Sequence, residues 1–495
     1  MKKTKIVCTI GPGSECLETI EEMLKCGMNV ARFNLSHGSH AEHLRRMELV
    51  REASVRTGIA VALMMDTKGP EVRLGTFSGG AAFLRAGGRF TLTTKYVEGD
   101  ASVCSVSHGG LPGDVAVGDR ILLSDGLVSL TVLEVSAQDI VTGVDNDGYI
   151  ANRKRVAVPG KALSLPPVSE SDEEDLLFAC KHEIDFIAAS FMQRGSDVKK
   201  IREILTAHGS EAGIIAKIEN KEGVLNVGDI LRRADGLMVA RGDLGVEIPP
   251  EEVPILQKRI IGICNRAGKP VITATQMLES MIEHPRPTRA ETSDVANAIL
   301  DGSDAVMLSG ETAKGDYPVE AVRMMARVAE VTEDSFLYRK NTYGTAEEMY
   351  CRSSGPLSSM CIDSGRVAYD SETTDAIGSA TVSVAESIGA AAILTATETG
   401  RTAQSIAKHR PRVRVVAVTP HEKSIRRMQL CWGVEPLKGP AFTDSDDMVR
   451  ISMKTASENG SIYEGDTVVV TAGVPAGISG TTNMIRVHVA CDMDF

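Results

Sequence analysis

Several apolar runs of this sequence end abruptly in charged residues, and two of these endings carry a carboxylate. The run "GLMVA" is followed by Arg241, Gly242 and Asp243, and the run "GIIAKI" is followed by Glu219. If these runs form neighbouring parallel strands, the two carboxylates lie at adjacent strand ends. Mg²⁺ takes few protein ligands and keeps some of its water, so Glu219 and Asp243 are candidate ligands for Mg²⁺ or Mn²⁺. Two unrelated surface salt bridges are the alternative.

Lys217 lies two residues before Glu219 in the same run. Side chains two residues apart in a strand point to the same face, so the ammonium and the carboxylate are expected to be neighbours. An interior lysine is seldom structural, and we expect Lys217 to face negative charge that develops during a reaction. Pairing with the carboxylate alone would also satisfy it.

Polar residues follow the other apolar runs as well. They are Arg32, Asn34 and Ser36, then Asp66, Thr67, Lys68, Glu71 and Arg73, then Thr275 and Gln276, and finally Ser309, Glu311 and Lys314. Because burying polar groups without partners is costly, we expect them to converge on one ligand.

Two smaller groups within this set have specific chemistry. The oxygens of Asn34, Ser36, Asp66 and Thr67 suit a monovalent cation, although their spacing alone favours a local hydrogen-bond network. The backbone N–H groups at Gly242 and Asp243 could bind an anion at a glycine turn, and a plain turn is the alternative.

The elements that must position these residues are short apolar runs alternating with helical patterns. The runs number eight: "KIVCTIG", "NVARFNLS", "AVALMMD", "DFIAAS", "GIIAKIEN", "GLMVARGD", "PVITAT" and "AVMLSG". They show little polar alternation, as expected of parallel strands buried on both faces. The pattern predicts an α/β fold, a (β/α)₈ TIM barrel of ~250 residues, with a doubly wound sheet as the alternative.

The alternation of apolar runs and helical patterns is interrupted once, by an insertion, and a separate C-terminal segment follows it. We expect the barrel to comprise residues 1–69 and 159–338. Residues 70–158 hold glycine-punctuated alternating strands, which predict an inserted β-barrel domain hinged at "KGP" and "VPG" that acts as a lid. Residues 345–495 again alternate apolar runs with helical patterns and predict a separate C-terminal α/β domain, after a linker near residue 340.

Composition limits the partners and the compartment. Lys and Arg number 54 against 66 Asp and Glu, a net charge of −12, which disfavours nucleic acid or an anionic membrane as the main partner. The ten cysteines form no CxxC pair, so the chain is expected in a reducing cytoplasm without a zinc site or disulfide framework. The N-terminus is typical of a first strand rather than a signal peptide, and no window is long enough for a membrane span.

The order of several longer motifs resembles the pyruvate kinase family. They include "ARFNLSHG", "MDTKGPEVR", "IIAKIEN", "MVARGDLGVEIP", "ITATQMLESMIEHPRPTRAE" and "MLSGETAKGDYPVEAV". The resemblance covers essentially the whole chain and is looser in the C-terminal domain. It implies transfer of a phosphoryl group from phosphoenolpyruvate to ADP, giving pyruvate and ATP. It also implies a lid, an effector domain and a homotetramer.

The resemblance assigns roles by position. Glu219 and Asp243 match Mg²⁺ ligands, and Asn34, Ser36, Asp66 and Thr67 match K⁺ ligands, which overturns the plain hydrogen-bond network. Lys217 would face the phosphoryl group and the enolate oxygen. Further matches hold the substrates: Arg32 and Arg73 for phosphates, Gly242, Asp243 and Thr275 for the substrate carboxylate, Asn34, Lys154 and Lys314 for the nucleotide, and Thr275 or Ser309 for a proton relay.

Two positions refine the expected regulation. Family members with glutamate at the position of Glu71 resemble K⁺-dependent enzymes, so K⁺ dependence of the bacterial type is predicted. The C-terminal "TATETGRTA" matches an effector loop, with Thr397, Thr399, Gly400, Arg401 and Thr402 as candidates for binding a phosphorylated effector. Glu398 stands where some fructose 1,6-bisphosphate-activated members have lysine, which leaves a sugar monophosphate or AMP open.

Two other classes of protein are alternatives to a pyruvate kinase. Another phosphoenolpyruvate-handling barrel, such as a mutase or dikinase domain, should lack both the β insertion after "DTKGP" and the "SGETAKG" ending. A catalytically silent effector-binding protein should have lost one of Lys217, Glu219, Asp243 or Thr275, and all four are present.

Overall fold

The eight predicted runs form a closed parallel barrel, which confirms the TIM-barrel prediction and excludes the doubly wound sheet. The computed structural model describes residues 2–161, 163–335, 338, 372–475 and 482–490. The predicted linker near residue 340 lies outside these residues. The barrel strands are β1 (Lys5–Thr9), β2 (Val30–Asn34), β3 (Ala62–Asp66), β13 (Phe186–Ala189), β14 (Gly213–Ile218), β15 (Gly236–Ala240), β16 (Val271–Ala274) and β17 (Ala305–Leu308).

Helices surround the barrel and begin where the sequence supplies caps. They are α1 (Leu17–Cys26), α2 (His40–Thr57), α4 (Glu170–Lys181), α5 (Gly195–Ala207), α6 (Lys221–Leu225), α7 (Val227–Arg233), α8 (Arg241–Glu247), α9 (Val253–Ala267), α10 (Arg289–Leu300), α11 (Gly310–Ala313) and α12 (Pro318–Asp334), with 3₁₀ turns at Pro250–Glu252 and Glu279–Ile282. Ser39, Ser169 and Thr288 each complete a capping box at a helix start. Gly58 ends α2 with φ 70°, a conformation that favours glycine.

The insertion after β3 is a β domain with its own core. Its strands are β4 (Val72–Arg73), β5 (Ala81–Leu84), β6 (Arg89–Thr93), β7 (Val103–Ser105), β8 (Arg120–Leu123), β9 (Val128–Val135), β10 (Asp139–Val144), β11 (Gly148–Ala151) and β12 (Arg155–Ala157), with one short helix, α3 (Leu111–Asp114). Seven strands form a sheet in the order β4-β12-β8-β9-β10-β6-β7. A bridge between Leu74 and Val106 joins the two edges, so the sheet curls back on itself. We call residues 72–157 the inserted β region.

The C-terminal α/β domain has a five-stranded sheet with apolar clusters on both faces. Its strands are β18 (Ala392–Ala396), β19 (Arg414–Thr419), β20 (Val434–Lys438), β21 (Thr467–Ala472) and β22 (Met484–Val489), and its helices are α13 (Glu372–Ser387), α14 (Arg401–Ala407), α15 (Glu422–Met428) and α16 (Ser445–Glu458). β22 pairs antiparallel with β21, and the other pairs are parallel. This domain contacts the barrel at the amino ends of its strands, for example through Arg426 and Asp185.

Candidate active site

The barrel interior changes from apolar to charged along the strands. Val30, Ala62 and Ile215 belong to the apolar cluster inside the barrel. Side chains two positions apart on a strand point to the same face. Arg32, Asp66 and Lys217 each lie two positions after an interior residue, so they share that inner face nearer the carboxyl ends. The sequence therefore fills the lower barrel with hydrocarbon and concentrates charge at its upper rim.

Lys217 is the centre of this charged layer. Its ammonium lies 2.9 Å from Asp66 Oδ1, 2.7 Å from Ser190 Oγ and 3.0 Å from Glu219 Oε1. The residue is 8% exposed, so these contacts are largely sheltered from water. Two hydrogen bonds, to Asp66 and Ser190, and an ion pair with Glu219 fix the ammonium in one position.

Arg32 is held on the other side of Asp66. Its Nε donates to Asp66 Oδ2 at 2.7 Å, and its Nη1 donates to Thr9 Oγ1 at 2.8 Å. Asp66 thus lies between two cations. The charged layer places Arg32 and Lys217 on one carboxylate with their side chains already ordered.

The pKa shifts follow from burial and from these partners. Burial opposes the charged form of Lys217, but Asp66 and Glu219 outweigh it and raise the pKa of Lys217 above its ordinary value. Burial likewise opposes ionisation of Asp66, yet Arg32 and Lys217 bring its pKa below the ordinary value. Lys217 is therefore a permanent cation at neutral pH and unsuited to act as a base.

Glu219 and Asp243 lie at the ends of neighbouring strands, since β14 pairs with β15. Glu219 is 1% exposed, and its Oε2 accepts a hydrogen bond from the Phe191 backbone N–H at 2.6 Å. Burial raises the pKa of Glu219, and the charge of Asp243 adds to the rise while Lys217 opposes it. Two carboxylates whose charges destabilise each other are a donor set that a divalent cation would relieve.

The opening of α8 differs from the predicted glycine turn, because Arg241, Gly242 and Asp243 are its first three residues. The Gly242 N–H donates to Thr275 Oγ1 at 2.8 Å. Thr275 has φ 70°, an outlier for a β-branched residue that costs about 1–3 kcal/mol. Arg241 holds this segment, since its Nη2 donates to the Thr275 carbonyl at 2.6 Å and its guanidinium pairs with Asp294 at 2.7 Å.

The four residues predicted to hold a monovalent cation lie at the ends of the neighbouring strands β2 and β3, since Asn34 and Asp66 are the last strand residues. Asn34 Oδ1 accepts from the Ser36 N–H at 3.1 Å, and Thr67 Oγ1 accepts from the Ser190 N–H at 3.3 Å. Asp66 joins this group to the Lys217 layer. The donor set consists of one carboxylate and neutral oxygens, which suits a monovalent cation.

The residues predicted for the nucleotide and the proton relay are more dispersed. Arg73 lies in β4 of the inserted β region, 2.5 Å from Glu71 and 3.1 Å from the Arg153 carbonyl. Lys154 and Lys314 are exposed. Ser309 precedes α11, and its N–H donates to Glu311 Oε2 at 2.7 Å. The structure thus brings Arg32, Asp66, Lys217 and Glu219 into direct contact and leaves these other residues outside that cluster.

Sequence reasoning missed three residues that contact the charged layer. Ser190 is the last residue of the fourth run and lies two positions after the interior residue Ala188, so strand alternation contained its signal. Phe191 uses its backbone and has φ 55°, which no side-chain rule indicates. Arg155 comes from the inserted β region and donates to Asp243 Oδ1 at 2.6 Å across 88 positions of sequence.

The predicted effector loop lies at the other end of the barrel. Thr399, Gly400 and Arg401 line a cavity of about 730 Å³ between the C-terminal domain and the strand beginnings near Phe186 and Pro270. Thr397 Oγ1 accepts from the Gly400 N–H at 3.0 Å. Thr402 is buried beside Thr482, with 3.3 Å between the two hydroxyls.

Two kinds of feature are absent from the described residues. Within the ranges given above, no group of three or more His, Cys, Asp or Glu side chains is arranged to hold a metal ion. A divalent cation would therefore depend on two carboxylates and other oxygens. In the same part of the chain, no helix combines the length and apolar character needed to cross a bilayer.

The fold and the charged rim define a (β/α)₈-barrel enzyme with a C-terminal α/β domain. Family comparison gives the particular class. Residues 1–322 match the model of the pyruvate kinase barrel domain, and residues 375–488 match that of the pyruvate kinase alpha/beta domain.

Individual relatives agree with the family models. The chain is 50% identical to a pyruvate kinase of Geobacillus stearothermophilus over 99% of its length and 81% of that relative. It is 45% identical to a pyruvate kinase of Clostridium acetobutylicum over 99% and 100% of the two chains. A solved pyruvate kinase structure from Cryptosporidium parvum superposes with a TM-score of 0.89 at 39% identity, covering 99% and 96% of the two chains. The chain belongs to the pyruvate kinase family and is an enzyme of that class.

Proposed function

We propose that this enzyme transfers a phosphoryl group from phosphoenolpyruvate to ADP, giving pyruvate and ATP, in a reaction that depends on Mg²⁺ and K⁺. The observation that carries the proposal is the Lys217 ammonium, fixed between Asp66, Ser190 and Glu219 at the carboxyl rim of the barrel. Phosphoryl transfer needs positioning and fixed positive charge more than a protein nucleophile. The rim offers this arrangement with Arg32 on the adjacent strand.

Glu219 and Asp243 are the residues that would hold Mg²⁺ or Mn²⁺. Their donor set suits this ion, because Mg²⁺ takes one or two carboxylates and fills its other positions with substrate oxygens and water. When bound, the ion supplies positive charge to the phosphoryl oxygens of the substrate. Burial, together with the charge of Asp243, raises the pKa of Glu219, and a bound cation would offset both effects.

Lys217 and Arg32 would bind the phosphoryl group and the enolate oxygen that is left after transfer. Since Asp66 and Glu219 keep Lys217 protonated, its role is to stabilise negative charge rather than to move a proton. Protonation of the enolate carbon then requires another donor. Thr275 or Ser309, acting with water, could relay that proton.

The Gly242 N–H, the Asp243 backbone and Thr275 Oγ1 would hold the substrate carboxylate. The Gly242 N–H donates to Thr275 Oγ1 at 2.8 Å, and that hydroxyl donates to the Ala274 carbonyl at 2.6 Å. A substrate carboxylate would replace these two acceptors and accept from both donors. Arg241 supports this cradle by binding the Thr275 carbonyl.

K⁺ is proposed to bind to Asn34, Ser36, Asp66 and Thr67. The nucleotide is proposed to contact Asn34, Arg73, Lys154 and Lys314. Glu71 is a carboxylate that pairs with Arg73, so position 71 does not itself supply an ammonium in place of the ion. Turnover should therefore collapse in K⁺-free tetramethylammonium buffer. The Glu71→Lys variant should need less K⁺, and an unchanged K⁺ titration would contradict this.

Three further features of the family are proposed for this chain. Residues 70–158 act as a lid that excludes water from the phosphoryl group. Residues 345–495 form an effector domain in which Thr397, Thr399, Gly400, Arg401 and Thr402 contact a phosphorylated metabolite. The assembly is a cytoplasmic homotetramer. The cavity beside Thr399 and Arg401, which also touches strand beginnings of the barrel, supports the effector role.

Two measurements test these assignments. A coupled assay that follows ADP-dependent pyruvate formation, with Mg²⁺ and K⁺ omitted in turn, tests the reaction and both ions. Phosphoenolpyruvate saturation measured with fructose 1,6-bisphosphate, a sugar monophosphate or AMP tests the effector loop. If none of the three shifts the saturation curve, the effector proposal is wrong.

A further inference from the structure

Arg155 is a residue of the inserted β region that reaches into the rim of the barrel. It begins β12, next to the hinge at residues 158–160, and is 9% exposed. Its Nη1 donates to Asp243 Oδ1 at 2.6 Å, and its Nη2 donates to Glu247 Oε1 at 3.1 Å. One guanidinium therefore joins two carboxylates of α8 to the inserted β region.

The same guanidinium also contacts Phe191, the residue that binds the second candidate metal ligand. Its central carbon is 4.6 Å from the ring centroid of Phe191, and the Phe191 N–H binds Glu219 at 2.6 Å. The planar group is thus stacked on one side and hydrogen-bonded at its edge, a pairing that favours arginine over lysine. Arg155 thus contacts one candidate metal ligand directly and also contacts the residue that binds the other.

Charge makes Arg155 and a divalent cation competitors. Asp243 Oδ1 accepts a short charge-assisted hydrogen bond from Arg155, and a metal ion would need the same carboxylate. Two cations on one carboxylate repel each other, and their repulsion is weakly screened in a partly buried site. Glu247 is able to retain the guanidinium after Asp243 is released, because it is itself largely buried and paired with Arg155.

We propose that Arg155 is an internal counter-ion of the divalent-metal site, so that the metal and Arg155 compete for Asp243. This inference rests on the proposed metal role of Glu219 and Asp243. Arg155 lowers the metal affinity of the site, and metal binding loosens the attachment of the inserted β region to the barrel. Arg155 is in this sense a positioning residue that couples metal occupancy to lid freedom.

Direct Mn²⁺ binding tests the competition without relying on turnover. Free Mn²⁺ is measured by electron paramagnetic resonance with wild type, Arg155→Gln and Arg155→Lys. Loss of one charge-assisted hydrogen bond to Asp243 should tighten Mn²⁺ binding by roughly tenfold in Arg155→Gln. Arg155→Lys keeps the charge but loses the double contact and should be intermediate. Arg89→Gln, an exposed arginine of the same inserted β region, should bind like wild type.

Two further variants separate this inference from the proposal beneath it. If Asp243→Asn and Glu219→Gln bind Mn²⁺ like wild type, the metal assignment itself is wrong. If they lose Mn²⁺ while Arg155→Gln binds it as wild type does, the metal assignment stands and the competition is overturned. A higher KM for ADP with unchanged Mn²⁺ affinity would also overturn it, because Arg155 would then bind phosphate.

Hydrogen exchange supplies a second readout, on the coupling. Peptides that cover β12 and the hinge should exchange faster in Arg155→Gln than in wild type. Adding Mn²⁺ to wild type should produce the same acceleration, and adding it to Arg155→Gln should produce no further increase. Slower exchange of wild type on adding Mn²⁺, with no difference between the metal-free proteins, would contradict the coupling.

Discussion

The two ends of the barrel bury positive charge in opposite ways. At the carboxyl end, Lys217 contacts two carboxylates, and its pKa rises above the ordinary value despite burial. At the amino end, Lys5 donates to the Val434 carbonyl and Lys269 donates to the carbonyls of Leu231 and Ala234. Burial lowers the pKa of each of these two lysines to about 8.

Carboxylates at the amino end have a different task. Asp185 accepts from the Leu63 N–H at the start of β3 and from Arg426 of the C-terminal domain, both at 2.9 Å. Asp304 repeats this pattern with the Val271 N–H and Arg410, again at 2.9 Å. Each carboxylate thus ties a barrel strand to a C-terminal arginine. The comparison suggests that charge at the carboxyl end serves a ligand, whereas charge at the amino end joins two domains.

Removing one buried lysine from each end of the barrel tests this difference most strongly. Lys217→Met deletes the proposed cation for the phosphoryl group and enolate, and it should lower kcat by about 10³-fold or more. Lys5→Met deletes a buried lysine of the same barrel and should leave kcat within about twofold, because its partner is a structural carbonyl. Steady-state kinetics of both purified variants give the answer.

The outcome is informative only if both variants fold. Circular dichroism and gel filtration provide this control. Similar losses of kcat in the two folded variants would show that the difference between the ends has no bearing on chemistry.

Weakening the contact between the barrel and the C-terminal domain should give the second-largest effect, a loss of stability. Asp304→Asn can still accept from the Val271 N–H but leaves Arg410 without its ion pair, and breaking a buried pair on one side costs about 3 kcal/mol. Thermal unfolding should show this loss, while kcat at moderate temperature should change by less than about threefold.

A double variant tests whether the lost stability comes from the ion pair between Asp304 and Arg410. Adding Arg410→Met to Asp304→Asn removes the positive charge that Asp304 no longer balances and should recover part of the stability, since the two residues are in contact. Equal stability of the single and double variants would mean that the ion pair does not join the domains.

Strand alternation explains how much of this could be predicted. The apolar runs and the polar residues at their ends were sufficient to predict eight strands and to place Lys217 and Glu219 on one face. Long-range partners were beyond reach, because Lys217 and Asp66 meet across 151 positions and nothing local relates their registers.

Backbone conformation was the other gap in the sequence argument. Arg241, Gly242 and Asp243 were expected in a turn, but they begin a helix, and the Gly242 N–H donates to Thr275 Oγ1. The positive φ of Thr275 and Phe191 is maintained by contacts from other elements, so their own residue types contain no signal for it. Arg155 could not be predicted either, because the orientation of an inserted domain is not written in a local pattern.

The smallest expected effect uses pH to compare buried lysines. Lys269 faces Asp235, Cys264, Arg202 and Arg401, and burial, the largest cause, lowers its pKa from 10.5 to about 8. Between these two values the unfolded chain binds more protons than the folded one, so the contribution of Lys269 to stability increases as pH rises. From about pH 7 to about pH 10, wild type should gain about 2.5 kcal/mol relative to Lys269→Met. Urea unfolding of both proteins at several pH values measures the difference. If the stability of wild type relative to Lys269→Met stays constant or decreases with rising pH, burial does not destabilise the charged form of Lys269. The proposed difference between Lys269 and Lys217 would then be wrong.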